Sequence, residues 1–336
     1  MADRDLREKS VFEISRTAAR DSEAKDFRRL MGKYGAAMLL LFLNGRVIAV
    51  LIMVALGITG LVQQEMTDFS YAMIMLSNEI ASYAFPLVTF YLLFDKEARA
   101  VPAGNNYKRF TGDNFLLFAG SVAAGAGGSI LTQLIFSLLN SLFDTPMPVD
   151  AFGSLSPDNL PRFLAFALCI CIISPICEEI IFRKYLLKPL RAYGDMAAAL
   201  VSSVIFGLYH GNFDQFAYAA LAGFFYALIA IRSESIIPSI VFHAANNLLM
   251  TFGVYAPESF RNDFLDMLFS EMSEVCVLLM DIIMFAGIIA LIVLAVKGVF
   301  RLYTRSLYLS GKDMLKTAMS PLFIAGAAVM VAELFI

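Results

Sequence analysis

The chain has 336 residues, 59% of them apolar and 16% charged, with a net charge of -3 and a mean hydropathy of +0.71. Soluble domains run about 45–50% apolar and about 25% charged, so a soluble enzyme, a nucleic-acid binder and a disulfide-stapled secreted domain are all excluded. Charge is also unevenly placed: residues 1–33 carry nine Lys/Arg and seven Asp/Glu, and the remainder is a string of apolar runs near the ~20 residues that cross a bilayer.

The segment 1–33 reads as a cytoplasmic polar N-terminal tail, solvated and of mixed charge. An amphipathic helix seated on the inner leaflet through Val11, Phe12 and Ile14 is the alternative. Apolar runs then follow at 36–62, 71–94, 115–143, 162–188, 196–213, 215–231, 236–252, 275–296 and 317–336. They predict an all-α fold, a polytopic transmembrane helix bundle of about 8–9 spans. Gly120, Gly125, Gly127 and Gly128 in the third run suit close helix packing in lipid. Pro, Gly and Asn in 101–106 read as a turn between spans.

Loop charge sets the orientation. Arg28, Arg29 and Lys33 precede the first run, and Lys96, Arg99, Lys108 and Arg109 follow the second. Lys184, Lys188 and Arg191 follow the fourth, and 297–316 holds five bases against Asp313 alone. The intervening loops are acidic, with five acids against Arg261 in 253–274. Lys and Arg favour the cytoplasmic side, so a multi-pass protein of the plasma membrane with its N-terminus in the cytoplasm is expected. No signal peptide or lipidation signal is visible. Cys169, Cys171, Cys177 and Cys276 all lie in apolar stretches and read as small buried hydrophobes.

Ionisable side chains within spans are costly and tend to be functional. Arg46, Glu79, Asp281 and Glu333 occur singly, and packing hydrogen bonds or interfacial positions explain each. Cys177-Glu178-Glu179-Ile180-Ile181-Phe182-Arg183 differs. Arg183 stands four residues after Glu179, the helical spacing for an ion pair, while Glu178 points about 100° away. Glu179 can then be held ionised while Glu178 faces a drier cavity, a division of environments that yields a general base. Both histidines of the chain, His210 and His243, also fall within apolar runs, and Asn247 follows His243 by one helical turn. Helix rise places Glu178 roughly 18 Å, and His210 roughly 21 Å, from their shared turn, with His243 shallower at roughly 10 Å.

Glu-Glu-x-x-x-Arg at 178–183, Phe-x-x-x-His at 206–210 and His-x-x-x-Asn at 243–247 resemble the CAAX protease and bacteriocin-processing family of intramembrane proteases, also called Abi or Rce1-like. The likeness covers about 160–255, with the motifs in family order, and implies a protease core there, with peripheral transmembrane helices over 34–159 and C-terminal transmembrane helices over 256–336. It implies an intramembrane endopeptidase in which Glu178 activates a water, and His210, His243 and Asn247 orient that water or stabilise the oxyanion. Glu179 and Arg183 would form a supporting pair. It also leaves the cofactor open: zinc held by Glu178, His210 and His243, or no metal, with Glu178 acting directly. The implied partners are a peptide or membrane-protein substrate and the lipid bilayer, with no nucleic acid. Two other classes compete. A catalytically idle relative could act as an immunity or scaffold protein, although every motif residue is present. A coupled transporter would show paired repeats, and no repeat is visible.

Overall fold

The computed structural model describes residues 2–58, 67–100, 111–143, 157–254, 263–298 and 309–334. The end of the first apolar run at 59–62, the turn expected over 101–106 and the side chains of Val11, Phe12, Arg46 and Glu333 lie outside the described residues. Among the described residues ten helices are traced: α1 Ala2–Ile58, α2 Asp68–Ala100, α3 Gly112–Phe143, α4 Leu160–Leu190, α5 Asp195–Tyr209, α6 Phe213–Ser233, α7 Ile237–Val254, α8 Asp263–Val296, α9 Gly311–Ala318 and α10 Pro321–Glu333. No strand occurs among the described residues.

Five of these helices, over Asp68–Ala100, Gly112–Ile135, Leu160–Leu190, Gln215–Ser233 and Met267–Val296, contain stretches long and apolar enough to cross a membrane. A sixth crossing is available if α9 and α10, bent by 76° at Met319-Ser320, count as one broken span. The outer faces carry exposed Leu92, Leu134, Phe285 and Ile289, as a helix bundle in hydrocarbon requires. Runs 36–62, 196–213 and 236–252 fall in α1, α5 and α7, outside that set.

Three sequence expectations change. The first 33 residues are not a tail: from Ala2 they form one continuous helix with the first apolar run, and Phe27, Leu30 and Met31 are already buried. The run 196–213 is not one span. Its helix stops at Tyr209 after 15 residues, about 22 Å of rise against a ~30 Å hydrocarbon core. Gly211, at φ 65, turns the chain, and Asn212 caps α6 by accepting from the Gln215 amide at 2.8 Å. The last run, 317–336, begins with a break rather than a straight helix, since Ser320 caps a new helix whose first residue is Pro321.

Glycines set the closest helix crossings. A Cβ on Gly287 of α8 would stand 2.1 Å from the Ala119 carbonyl oxygen of α3, and one on Gly35 of α1 would stand 2.2 Å from the Leu322 carbonyl oxygen of α10. Within α3, Gly120 faces Phe225 and Leu291 and Gly128 faces the Tyr218 backbone, whereas Gly127 meets nothing within 4 Å. The packing role therefore belongs to part of the glycine cluster. Ion pairs tie the helix ends: Lys33 to Glu97, Arg20 to Asp313, Arg191 to Asp195 and Glu234, and Asp113 to both Arg232 and Lys297. Every such pair joins residues that loop charge assigns to one side. The four cysteines are free, with Cys169 and Cys171 buried.

Backbone-to-backbone contact leaves no side chain to yield. Gly287→Ala is expected to destabilise the bundle by about 1–3 kcal/mol, whereas Gly127→Ala leaves it unchanged or slightly more stable. Thermal unfolding of the two variants in the same detergent checks the contrast.

Candidate functional site

The carboxylates ride on α4, and α4 is not a uniform helix. Asn159 caps its start by accepting from the Arg162 amide at 3.0 Å. Two wider π-helical stretches follow, Cys169–Ile173 and Ile180–Leu187, with the α-helical Ser174–Glu179 between them. Such turns are frequent at functional sites because they re-aim side chains and loosen the backbone ladder. Here the carbonyl of Ile170, in the first wide stretch, accepts from the Asn247 amide at 2.9 Å, which ties α7 to α4. Glu178 and Glu179 sit just before the second stretch, and both are buried.

The two acids have separate surroundings. Glu179 and Arg183 have no exposed side-chain surface and pair at 3.0 Å, Arg183 Nε donating to Glu179 Oε2. Ser239 of α7 donates its hydroxyl to the same oxygen. Arg183 also donates to the Ser202 hydroxyl at 2.8 Å, and Ser202 passes its own proton to the Phe182 carbonyl at 2.9 Å. The remaining guanidinium nitrogen has no hydrogen-bond partner; the guanidinium lies over the Phe206 ring at 5.2 Å, a cation–π contact. Glu178 is turned the other way, accepting at Oε1 from the Tyr83 hydroxyl of α2.

His243 connects them. Its Nδ1 lies 3.2 Å from Glu179 Oε1, and its Nε2 lies 3.6 Å from Glu178 Oε2. A carboxylate paired with arginine can only accept, so the ring proton belongs on Nδ1 and Nε2 presents a lone pair toward Glu178. Tyr226 stacks on the imidazole with centroids 4.8 Å apart. Phe206 meets His243 edge-on at 5.8 Å and His210 at 5.0 Å, so one ring spaces the two imidazoles. Gly223 makes room for it, since a Cβ there would stand 2.6 Å from the Phe206 ring.

His210 caps the end of α5 rather than lying within a span. Its Nδ1 is 2.9 Å from the Phe206 carbonyl; a carbonyl only accepts, so this nitrogen too is the donor. Glu178, His210, His243 and Asn247 line one cavity of about 490 Å³, shared with Glu79, Tyr83, Tyr209, Gln215 and Asn246. Glu179 and Arg183 stand behind its wall. Asn247 has one amide hydrogen committed to Ile170, and its neighbour Asn246 adds a second carboxamide to the lining.

Of the single charged residues, Glu79 lines this cavity and accepts from Ser174 Oγ at 3.1 Å, whereas Asp281 is exposed. Tyr83, Ser239 and Tyr226 were not legible as site residues. Ser239 alone left a trace in the chain, standing one helical turn before His243. A zinc-type set was tested against this geometry. Among the described residues no three His, Cys, Asp or Glu side chains stand close enough to hold a metal ion. Glu178 and His243 meet, but the third donor is not brought to them, so a metal does not fit and no step is routed through one. The arrangement offers a buried carboxylate oxygen and an imidazole lone pair, side by side, on a wall lined by amides.

Residues 160–249, from the start of α4 into α7, match the family described as Type II CAAX prenyl endopeptidase Rce1-like, and the remaining helices lie outside the match. No curated protein and no solved structure matches the chain.

Removing one partner of a buried ion pair strands the other. Arg183→Leu is expected to cost about 3–5 kcal/mol, and Glu179→Leu/Arg183→Leu to recover part of that loss. Melting temperatures of the single and double variants in one detergent measure both effects.

Proposed function

We propose that this protein is an intramembrane endopeptidase, hydrolysing a peptide bond with a water activated by Glu178. The observation that supports this most is the approach of Glu178 Oε2 and His243 Nε2 to 3.6 Å at the wall of the cavity. Both atoms are acceptors. A water donating to the pair has its lone pairs turned outward to a substrate carbonyl, a near-attack geometry.

Attack forms the C–O bond while Glu178 takes the water proton. The carbonyl oxygen becomes an oxyanion within reach of the Asn246 and Asn247 amides, and of His210, which donates from Nε2 when protonated. Glu178 then returns its proton to the leaving nitrogen, the C–N bond breaks to give a carboxylic acid and an amine, and the acid gives up its remaining water-derived proton to the amine, so that a carboxylate and an ammonium depart. Glu179 touches no reacting atom. It keeps the His243 proton on Nδ1 and thereby keeps the Nε2 lone pair directed at the water.

The substrate is a peptide or a membrane-protein segment that reaches the cavity through the bilayer. A prenylated CAAX end, named in the family description, is one such substrate. The protein crosses the plasma membrane about eight times, with α1, α7 and the bent α9–α10 pair adding to the five longer spans, and its N-terminus is cytoplasmic. The basic loops and the ion pairs among them support that orientation.

Purified protein assayed against a library of prenylated and unprenylated membrane peptides is expected to cleave. Glu178→Gln is expected to lower kcat by about 10²–10⁴-fold. Cleavage that survives Glu178→Gln contradicts the mechanism.

A further inference from the structure

We infer that Tyr83, on a helix outside the Rce1-like segment, is a positioning residue for Glu178: its hydroxyl holds one carboxylate oxygen so that the other is the one presented to water. This inference rests on the reading of Glu178 as base.

The geometry that carries it is a ladder between α2 and α4. Asp68 meets Arg162 at 3.0 Å, Glu79 meets Ser174 at 3.1 Å, and Tyr83 meets Glu178. The partners keep an offset of 94–95 residues, so the two helices run side by side in the same direction and in register. Glu79 and Tyr83 are one turn apart on α2, as Ser174 and Glu178 are on α4, so these two rungs follow one another at four-residue spacing. Asn44 of α1 donates to the Ala81 carbonyl at 3.0 Å, securing α2 at the same level.

Tyr83 is fixed before any substrate arrives. Its ring is buried and packs on Tyr209 with centroids 6.3 Å apart. Tyr209 is no substitute donor, because its hydroxyl is given to the Ser82 carbonyl. With Oε1 of Glu178 engaged by Tyr83, Oε2 is the oxygen facing His243 Nε2. Both carboxylate oxygens are thereby assigned: one to a helix that sets its orientation, the other to the chemistry.

The test compares wild type, Glu178→Gln and Tyr83→Phe on one cleaved peptide. Tyr83→Phe is expected to lower kcat by about 10–100-fold with KM nearly unchanged. An unchanged kcat, with Glu178→Gln inactive, overturns the role of Tyr83 and leaves the protease reading standing. A raised KM at constant kcat also overturns it, making Tyr83 a substrate contact. If Glu178→Gln stays active the protease reading falls instead, and infrared difference spectra then decide the contact without turnover. The carboxyl band lost in Glu178→Gln is expected to shift in Tyr83→Phe, and an unshifted band overturns the inference.

Discussion

A carboxylate with no exposed surface, placed at the depth of a lipid bilayer, constrains everything around it. Glu179 is that group. Desolvating an ion of this size costs several kcal/mol even after relaxation, and the fold offsets the loss by collecting three donors: Arg183 from the same helix, Ser239 from α7, and His243 from α7. Each donor also has a structural consequence. Arg183 reaches Ser202 and fixes α5 against α4. Ser239 and His243 are one turn apart and fix the rotation of α7. The ring so oriented delivers its second nitrogen to Glu178. Glu179 therefore sets the orientation of the ring that faces Glu178, without lining the cavity.

Packing reinforces this electrostatic arrangement through aromatic rings and the glycines that admit them. Phe206 lies against both imidazoles and the guanidinium, and Gly223 leaves the space it occupies. Tyr226 closes the other face of His243. Gly207 lets α5 approach α6 so closely that a Cβ would stand 2.7 Å from the Phe216 carbonyl oxygen. That approach, together with the short reach of α5, places the His210 turn at the cavity rather than at the far surface. The site is thus a depression formed where a helix ends early, bounded on the opposite side by α2, a helix outside the family segment.

Much of this was legible along the chain. Apolar runs located most helices, and the four-residue spacing of Glu179 and Arg183 foretold their pair. Helix ends were harder. Hydropathy continued through His210 although Gly211-Asn212 spells a turn and a cap, and the charged residues before Lys33 concealed a helix that packs Ala24 and Phe27 against the core. Depth arithmetic on a uniform helical rise put His243 too shallow to meet Glu178, yet the two side chains meet; the wide turns between Glu179 and Lys188 are one departure from that uniform rise. The contact of Tyr83 with Glu178, 95 residues apart, left no local pattern at all: it depends on the register of two helices, which hydrophobic periodicity does not encode.

The presence of two histidines in the whole chain makes the central relationship directly measurable. Nitrogen-15 spectra of histidine-labelled protein in lipid bilayers report which ring atom bears the proton. The account predicts that neutral His243 is protonated at Nδ1, and that Glu179→Gln alters that resonance while leaving the His210 signal in place. Protonation of neutral His243 at Nε2, or a resonance indifferent to Glu179→Gln, would contradict it.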